Sequence, residues 1–171
     1  DILALTETWH ESYDCSCIRR LRGLGYTVIE KARVPPPHRD NVQFTNHGGV
    51  AVVAGRGLRI TKVKLHQPVS SFEFLCCQVS SREGNFTLLL IYRPGSKAVG
   101  DKFYSELRSL LEIISSYPGP VIITGDVNIR LDRSSDATSV KFTDLLADVG
   151  CTQWVDKPTH DAGGILDVLI T

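Results

Sequence analysis

Val121–Ile122–Ile123–Thr124–Gly125–Asp126–Val127–Asn128 is the stretch whose reading decides the fold. Three apolar residues and a threonine run into a glycine, which predicts a buried core strand stopping at that point. If the backbone stays extended past Gly125, Asp126 and Asn128 face the same way, because side chains alternate along a strand. An acid and an amide then stand together at the carboxyl end of a core strand, where open α/β sheets place their chemistry.

The chain around this corner predicts one domain over residues 1–171, large enough for a real core and free of internal repeats. Hydrophobic residues make up 42% and charged residues 22%, and no apolar run is long enough to span a bilayer, which excludes a membrane segment. Lys plus Arg balance Asp plus Glu at 19 each, so charge alone does not explain nucleic-acid binding and a phosphate-bearing substrate would need a local device such as a metal ion. Cys15, Cys17, Cys76, Cys77 and Cys151 are odd in number and contain no C-x-x-C pair. They read as structural thiols in a reducing compartment. With no methionine and a start at Asp1 inside a strand pattern, the chain reads as an excised or incomplete piece.

Asp1–Leu5 predicts a short buried strand that delivers Glu7. Residues 11–24 predict a helix with Gly25 just past its end. Tyr26–Ala32 predicts a strand, and the Pro35–Pro36–Pro37 segment a polar exposed loop through Asn46. Strands follow at Gly48–Ala54, Leu58–Leu65, Phe72–Val79 and Phe86–Tyr92, the last two joined by a hairpin turn at Arg82–Asn85. Helices are predicted at Asp101–Ser116 and Ser139–Val149, and a last strand at Leu166–Thr171. Consecutive strands with helices at a few connections imply a layered α/β protein with mixed sheets. Strict βαβ alternation, G-x-G-x-x-G and P-loop patterns are absent, which weighs against a dinucleotide-binding fold.

Glu7, Tyr92, Asp126 with Asn128, and Asp167 all fall at or beside ends of predicted core strands. Each has a structural explanation: Glu7 in a helix cap, Tyr92 as a rim aromatic, Asp126 and Asn128 in an Asx turn. Asp167, inside an apolar strand, needs a partner wherever it is buried. Their shared placement favours a site. Glu7 suits Mg²⁺ or Mn²⁺, Asp126 can deprotonate or orient a water, Asn128 can hold that water or a phosphate oxygen, and Tyr92 can donate to a nonbridging oxygen. Together they fit metal-assisted phosphoester hydrolysis.

Thr6–Glu7–Thr8–Trp9, Tyr92–Arg93–Pro94, Gly125–Asp126–Val127–Asn128 and Leu166–Asp167 occur in the order of the endonuclease/exonuclease/phosphatase superfamily, which this chain resembles over nearly its whole length. Pro158–Thr159–His160 with Gly164–Thr171 is similar to the endonuclease domain of LINE-type, non-LTR retrotransposons. The resemblance implies a DNase I-like four-layer α/β/β/α sandwich with two mixed sheets, truncated of its first and last strands. It implies Glu7 as metal ligand, Tyr92 at the phosphate, Asp126 activating the attacking water, Asn128 beside it, and Asp167 orienting a catalytic histidine. Thr159 matches a phosphate-side threonine. The implied activity is Mg²⁺-dependent nicking of target DNA by a monomeric domain fused to a reverse transcriptase, in a protein that works in the nucleus.

Two departures stand out. The family's asparagine ahead of the glutamate motif and its final Ser-Asp-His element match nothing between Asp1 and Thr171, so this piece is expected to be weak or inactive. His160 belongs to another motif and reads as a loop histidine, as do His10, His38, His47 and His66 in loops or strand flanks. Arg19, Arg20 and Arg22, and Arg56, Arg59, Lys62 and Lys64, read as solvated faces rather than DNA footprints. Alternatives are a non-catalytic remnant of the same fold acting as an interaction module, and a phosphomonoesterase.

Overall fold

The computed structural model describes residues 1–10, 15–33 and 48–171. The Pro35–Pro37 loop, the first residues of the predicted helix at 11–14, and His38 and His47 lie outside them. The element order is β1 (Ile2–Thr6), α1 (Ser16–Gly23), β2 (Thr27–Lys31), β3 (Val50–Ala54), β4 (Arg59–Val63), β5 (Glu73–Ser80), β6 (Asn85–Tyr92), α2 (Asp101–Ser115), β7 (Val121–Asp126), α3 (Ala137–Asp148) and β8 (Asp167–Ile170). Two sheets form, in the orders β1-β3-β2 and β4-β5-β6-β7-β8. The smaller is antiparallel throughout its described strands. The larger is mixed, because α2 carries the chain back over the sheet and lets β7 run parallel to β6.

Alternation along the strands separates three apolar layers. Val50, Val52 and Ala54 of the small sheet meet Leu75, Cys77, Val79, Leu88 and Leu90 of the large one. The opposite face of the large sheet packs Cys76, Leu89, Ile91 and Ile123 against Phe103, Leu107, Leu110 and Ile114 of α2 and Phe142, Leu145 and Leu146 of α3. On the outer face of the small sheet, Ile18 of α1 covers Val28 and Val53. The result is the four-layer α/β/β/α sandwich that the sequence resemblance implies. Residues 86–92 are apolar almost without interruption because β6 is covered on both faces, and Leu88 to Tyr92 are all buried.

The helices begin and end where local chemistry dictates. Asp136 caps α3, its carboxylate accepting from the Thr138 amide at 2.8 Å. Arg20 and Arg22 stand in the last turn of α1, beside the negative end of its dipole, and Gly25 follows at a φ of 89° that suits glycine.

Two expectations change. β1 is not a buried strand: among the described strands it lies at the edge of the small sheet, bonded to β3 alone, and Leu3 and Leu5 are 56% and 41% exposed. β7 does not stop at Gly125 but continues to Asp126. The glycine is there for proximity rather than termination. A Cβ on Gly125 would lie 1.9 Å from the Ile91 carbonyl oxygen, and its φ of 131° disfavours any side chain.

Gly125→Ala is therefore expected to lower stability by roughly 3 kcal/mol or more, since neither the backbone of β6 nor the dihedral can give way cheaply. Urea denaturation of the variant measures this, and a loss under about 1 kcal/mol would contradict the packing described.

Candidate functional site

Tyr92 ends β6, Asp126 ends β7 and Asp167 begins β8. The strand register sets Tyr92 opposite Asp126 and Asp126 opposite Asp167, so the three form one rung across adjacent strands. Paired residues point to the same face of a sheet. Tyr92 belongs to the apolar layer between the sheets, so this rung opens at the lip of the sandwich. From the other sheet, the chain leaving β1 brings Glu7 across, where its carboxylate accepts a short hydrogen bond from the Tyr92 hydroxyl. A cleft of about 600 Å³ results, walled by Glu7, Tyr92, Asp126, Asn128 and Asp167 together with Arg33, Gly95, Ser96 and His160.

Asn128 reaches the cleft by a route different from the one the sequence predicts. The backbone is not extended past Asp126 but turns, with Asn128 at a φ of 50°. Asp126 closes this Asx turn, accepting from the Asn128 amide N–H and from its Nδ2, each at 2.8 Å. Nδ2 also donates to the Arg93 carbonyl at 2.9 Å. The structural and functional explanations of this pair thus hold together: the turn is what aims the amide.

Arg93 is the residue whose importance the sequence conceals. It is 4% exposed. Its guanidinium donates to the carbonyls of Val127 and Asn128, both at 2.6 Å, of Lys97 at 2.8 Å and of Pro94 at 3.0 Å. One buried cation thus satisfies carbonyls on two loops that no ladder could serve. Arg33, also unanticipated, pairs with Glu73 and sets its guanidinium 5.7 Å from the centre of the Tyr92 ring. Glu73 is the next member of the same rung, opposite Tyr92.

Thr159 does not line the cleft. Its hydroxyl oxygen accepts from the amides of Leu166 and Asp167, at 3.0 and 3.1 Å, and so fixes the start of β8. His160, read from sequence as a loop histidine, is indeed in a loop but forms part of the cleft wall. A Pro-Thr-His turn seven residues before a strand carried no signal of that placement. Arg59 and Lys62 lie on β4 and Arg56 and Lys64 beside it, at the sheet edge farthest from β8.

The electrostatics follow from the crowding of acids at this lip. Burial pushes the Asp126 carboxyl up to about 6, with the Asp167 and Glu7 charges adding to it and the Asn128 hydrogen bonds opposing. Burial, then the hydrogen bond to Glu7, raises the Tyr92 phenol well above its usual value, so it is a proton donor at any ordinary pH. Glu7, Asp126 and Asp167 are hard oxygen donors around one opening, which suits Mg²⁺ or Mn²⁺. They do not close into a tight cage: among the described residues the compact cluster of potential ligands lies elsewhere, at His10, Cys15 and Cys17. An ion held here would keep coordination positions for water and phosphate, as Mg²⁺ sites do.

No family model matches the sequence, and no curated protein is significantly similar to it. Solved structures do resemble it. The endonuclease domain of TRAS1, a telomere-specific non-LTR retrotransposon, superposes with a TM-score of 0.61 at 17% identity, over 85% of this chain and 64% of that domain. The human Nocturnin catalytic domain gives 0.68 at 18% identity, over 99% and 68%. The Neisseria 3′ phosphatase NExo, bound to a product DNA hairpin, gives 0.61 at 14% identity, over 99% and 75%. The chain thus spans about two thirds to three quarters of these proteins and has their DNase I-like fold.

The raised carboxyl of Asp126 has a measurable consequence. The folded group titrates near 6 and the unfolded one near 3.8. The native state therefore binds more protons across that window and loses stability as pH rises through it. Asp126→Asn removes this titration. In chelator-treated protein its stability relative to wild type is expected to improve from about pH 4 to about pH 7, and a difference independent of pH would refute the assignment.

Proposed function

We propose that this chain is the catalytic part of a Mg²⁺-dependent DNA endonuclease, one that nicks target DNA in a retrotransposon-type polyprotein also carrying a reverse transcriptase. The single observation that carries this reading is the rung Tyr92–Asp126–Asp167 facing Glu7 across one cleft. The motif order of the sequence and the likeness of fold to the TRAS1 endonuclease domain support it.

The chemistry is assigned to these residues as follows. Glu7 holds the metal, which when bound supplies positive charge to the scissile phosphate. Asp126 takes a proton from the attacking water, a role suited by a carboxyl raised toward neutral pH. Asn128, its amide fixed by Asp126 and the Arg93 carbonyl, presents its side chain to the water or to a phosphate oxygen. Tyr92, kept protonated, donates toward a nonbridging oxygen once the substrate competes for its bond to Glu7. Thr159 positions Asp167 through the backbone of β8.

A second reading, a phosphomonoesterase on the same residues, is favoured by the likeness of fold to the NExo 3′ phosphatase. The two differ in whether an internal phosphodiester or a terminal phosphate is cut.

Incubation with supercoiled plasmid and Mg²⁺ is expected to give slow nicking, abolished by chelation. Glu7→Gln and Asp126→Asn should each lower the nicking rate by roughly 10²–10⁴-fold. Release of phosphate from a 3′-phosphorylated oligonucleotide without plasmid nicking would transfer the assignment to the second reading. Neither activity would leave a non-catalytic module.

A further inference from the structure

Outside the cleft, a second set of chemically capable side chains converges where the chain leaves β1 and enters α1. His10 Nε2, Cys15 Sγ and Cys17 Sγ all lie within 4.8 Å of one another. The Cys17 sulfur is 3.1 Å from His10 Nε2 and 2.9 Å from the Cys15 sulfur. The thiols stand at the N-cap and in the first turn of α1. Behind the histidine, its Nδ1 is hydrogen-bonded to Oε1 of Glu30 on β2.

Glu30 is the independent sign that the cluster is built for a cation. Its side chain is 2% exposed, and Oε2 is buried with no hydrogen-bond partner. A buried carboxylate so poorly satisfied is costly unless positive charge lies nearby. Among the described residues its hydrogen-bonding contacts are His10 and, at 3.4 Å, the Thr8 hydroxyl. A carboxylate accepting from the far nitrogen of a ligating imidazole is the usual backing of a metal-bound histidine: it fixes the tautomer and raises ligand basicity.

We propose that His10 Nε2, Cys15 and Cys17 bind a soft divalent cation, Zn²⁺ being the natural occupant, with Glu30 as the positioning residue for His10. Two thiolates and one imidazole match zinc and exclude Mg²⁺, so this site is chemically distinct from the acidic cleft. Binding exchanges the two thiol protons for the ion and brings positive charge within reach of Glu30 through the imidazole. Cys17 is exposed and can turn outward, which opens the sulfur pair to the wider separation that a tetrahedral ion needs. The ion would tie His10 and the start of α1 to the small sheet through Glu30.

The test is a Co²⁺ titration of the full 171-residue chain under reducing conditions. The readout is the near-ultraviolet thiolate-to-cobalt charge-transfer band, which carboxylate ligands cannot produce. The band should saturate at one ion per chain, vanish on adding Zn²⁺ and ignore excess Mg²⁺. Cys17→Ser, at an exposed position, should lose it while keeping the wild-type circular dichroism, and Cys15→Ala should do the same. Glu30→Gln should weaken Co²⁺ binding by about 10–100-fold. Cys151→Ser should leave the band intact. Absence of the band in wild type, its survival in both cysteine variants, or its loss in Cys151→Ser would overturn the proposal. Formation of a Cys15–Cys17 disulfide that reductant cannot open would do so equally.

Discussion

The close approach of β7 to β6 at Gly125 is the constraint on which the cleft depends. The Ile91 carbonyl occupies the space where a side chain on residue 125 would begin. Only with that space empty can the parallel ladder run its full length and bring Tyr92 level with Asp126. The next register step brings Asp126 level with Asp167. The chemistry of the rung is thus a product of backbone geometry, and the three side chains owe their common orientation to pairing, not to one another. Glu7 is the exception, since it comes from the second sheet and joins them through Tyr92.

A second constraint keeps the loops beyond the rung in place. Peptide carbonyls just past a strand end have no ladder partner, yet those of Val127 and Asn128 sit beside a buried region. Arg93 supplies donors to both, and to the loop that follows β6. A buried guanidinium beside acidic Asp126 also gains from the opposite charge, which offsets part of its own desolvation. The cost of burying one cation is spread over four hydrogen bonds and one ion–ion attraction. Lysine could not reproduce this, because the fork of five donors is what spans the two loops.

Much of this was legible in the sequence, for identifiable reasons. The β6 run of residues 86–92 and the apolar faces of α2 and α3 carry strong periodicity, and the strand-end placement of Glu7, Tyr92, Asp126 and Asp167 follows from it. β1 reads as buried because its apolar run resembles a core strand, whereas Leu3 and Leu5 lie 56% and 41% exposed on an edge. Periodicity does not encode position within a sheet. Arg33, Arg93 and His160 were hidden for another reason: their roles arise from contacts 34 or more residues away or from loop placement, which no local pattern records. The His10–Cys15–Cys17 cluster escaped because C-x-C matches no familiar zinc spacing, and the third member, His10, is brought in by packing against Glu30.

The conformation of the chain as it leaves β1 has a meaning for how such a protein tolerates change. Glu7 and Trp9 hold φ values of 51° and 54°, a region costly for residues with side chains of this size. Glycine at either place would relieve that cost, so folding free energy alone would favour replacing them. Under the proposed function, a glutamate that keeps this backbone while facing other acids is there for its chemistry and not for stability. Position 7 is then the place where the proposed chemistry and the robustness of the fold pull in opposite directions. A lineage released from its chemical task should erode there first, while the Gly125 contact, which the fold itself requires, endures.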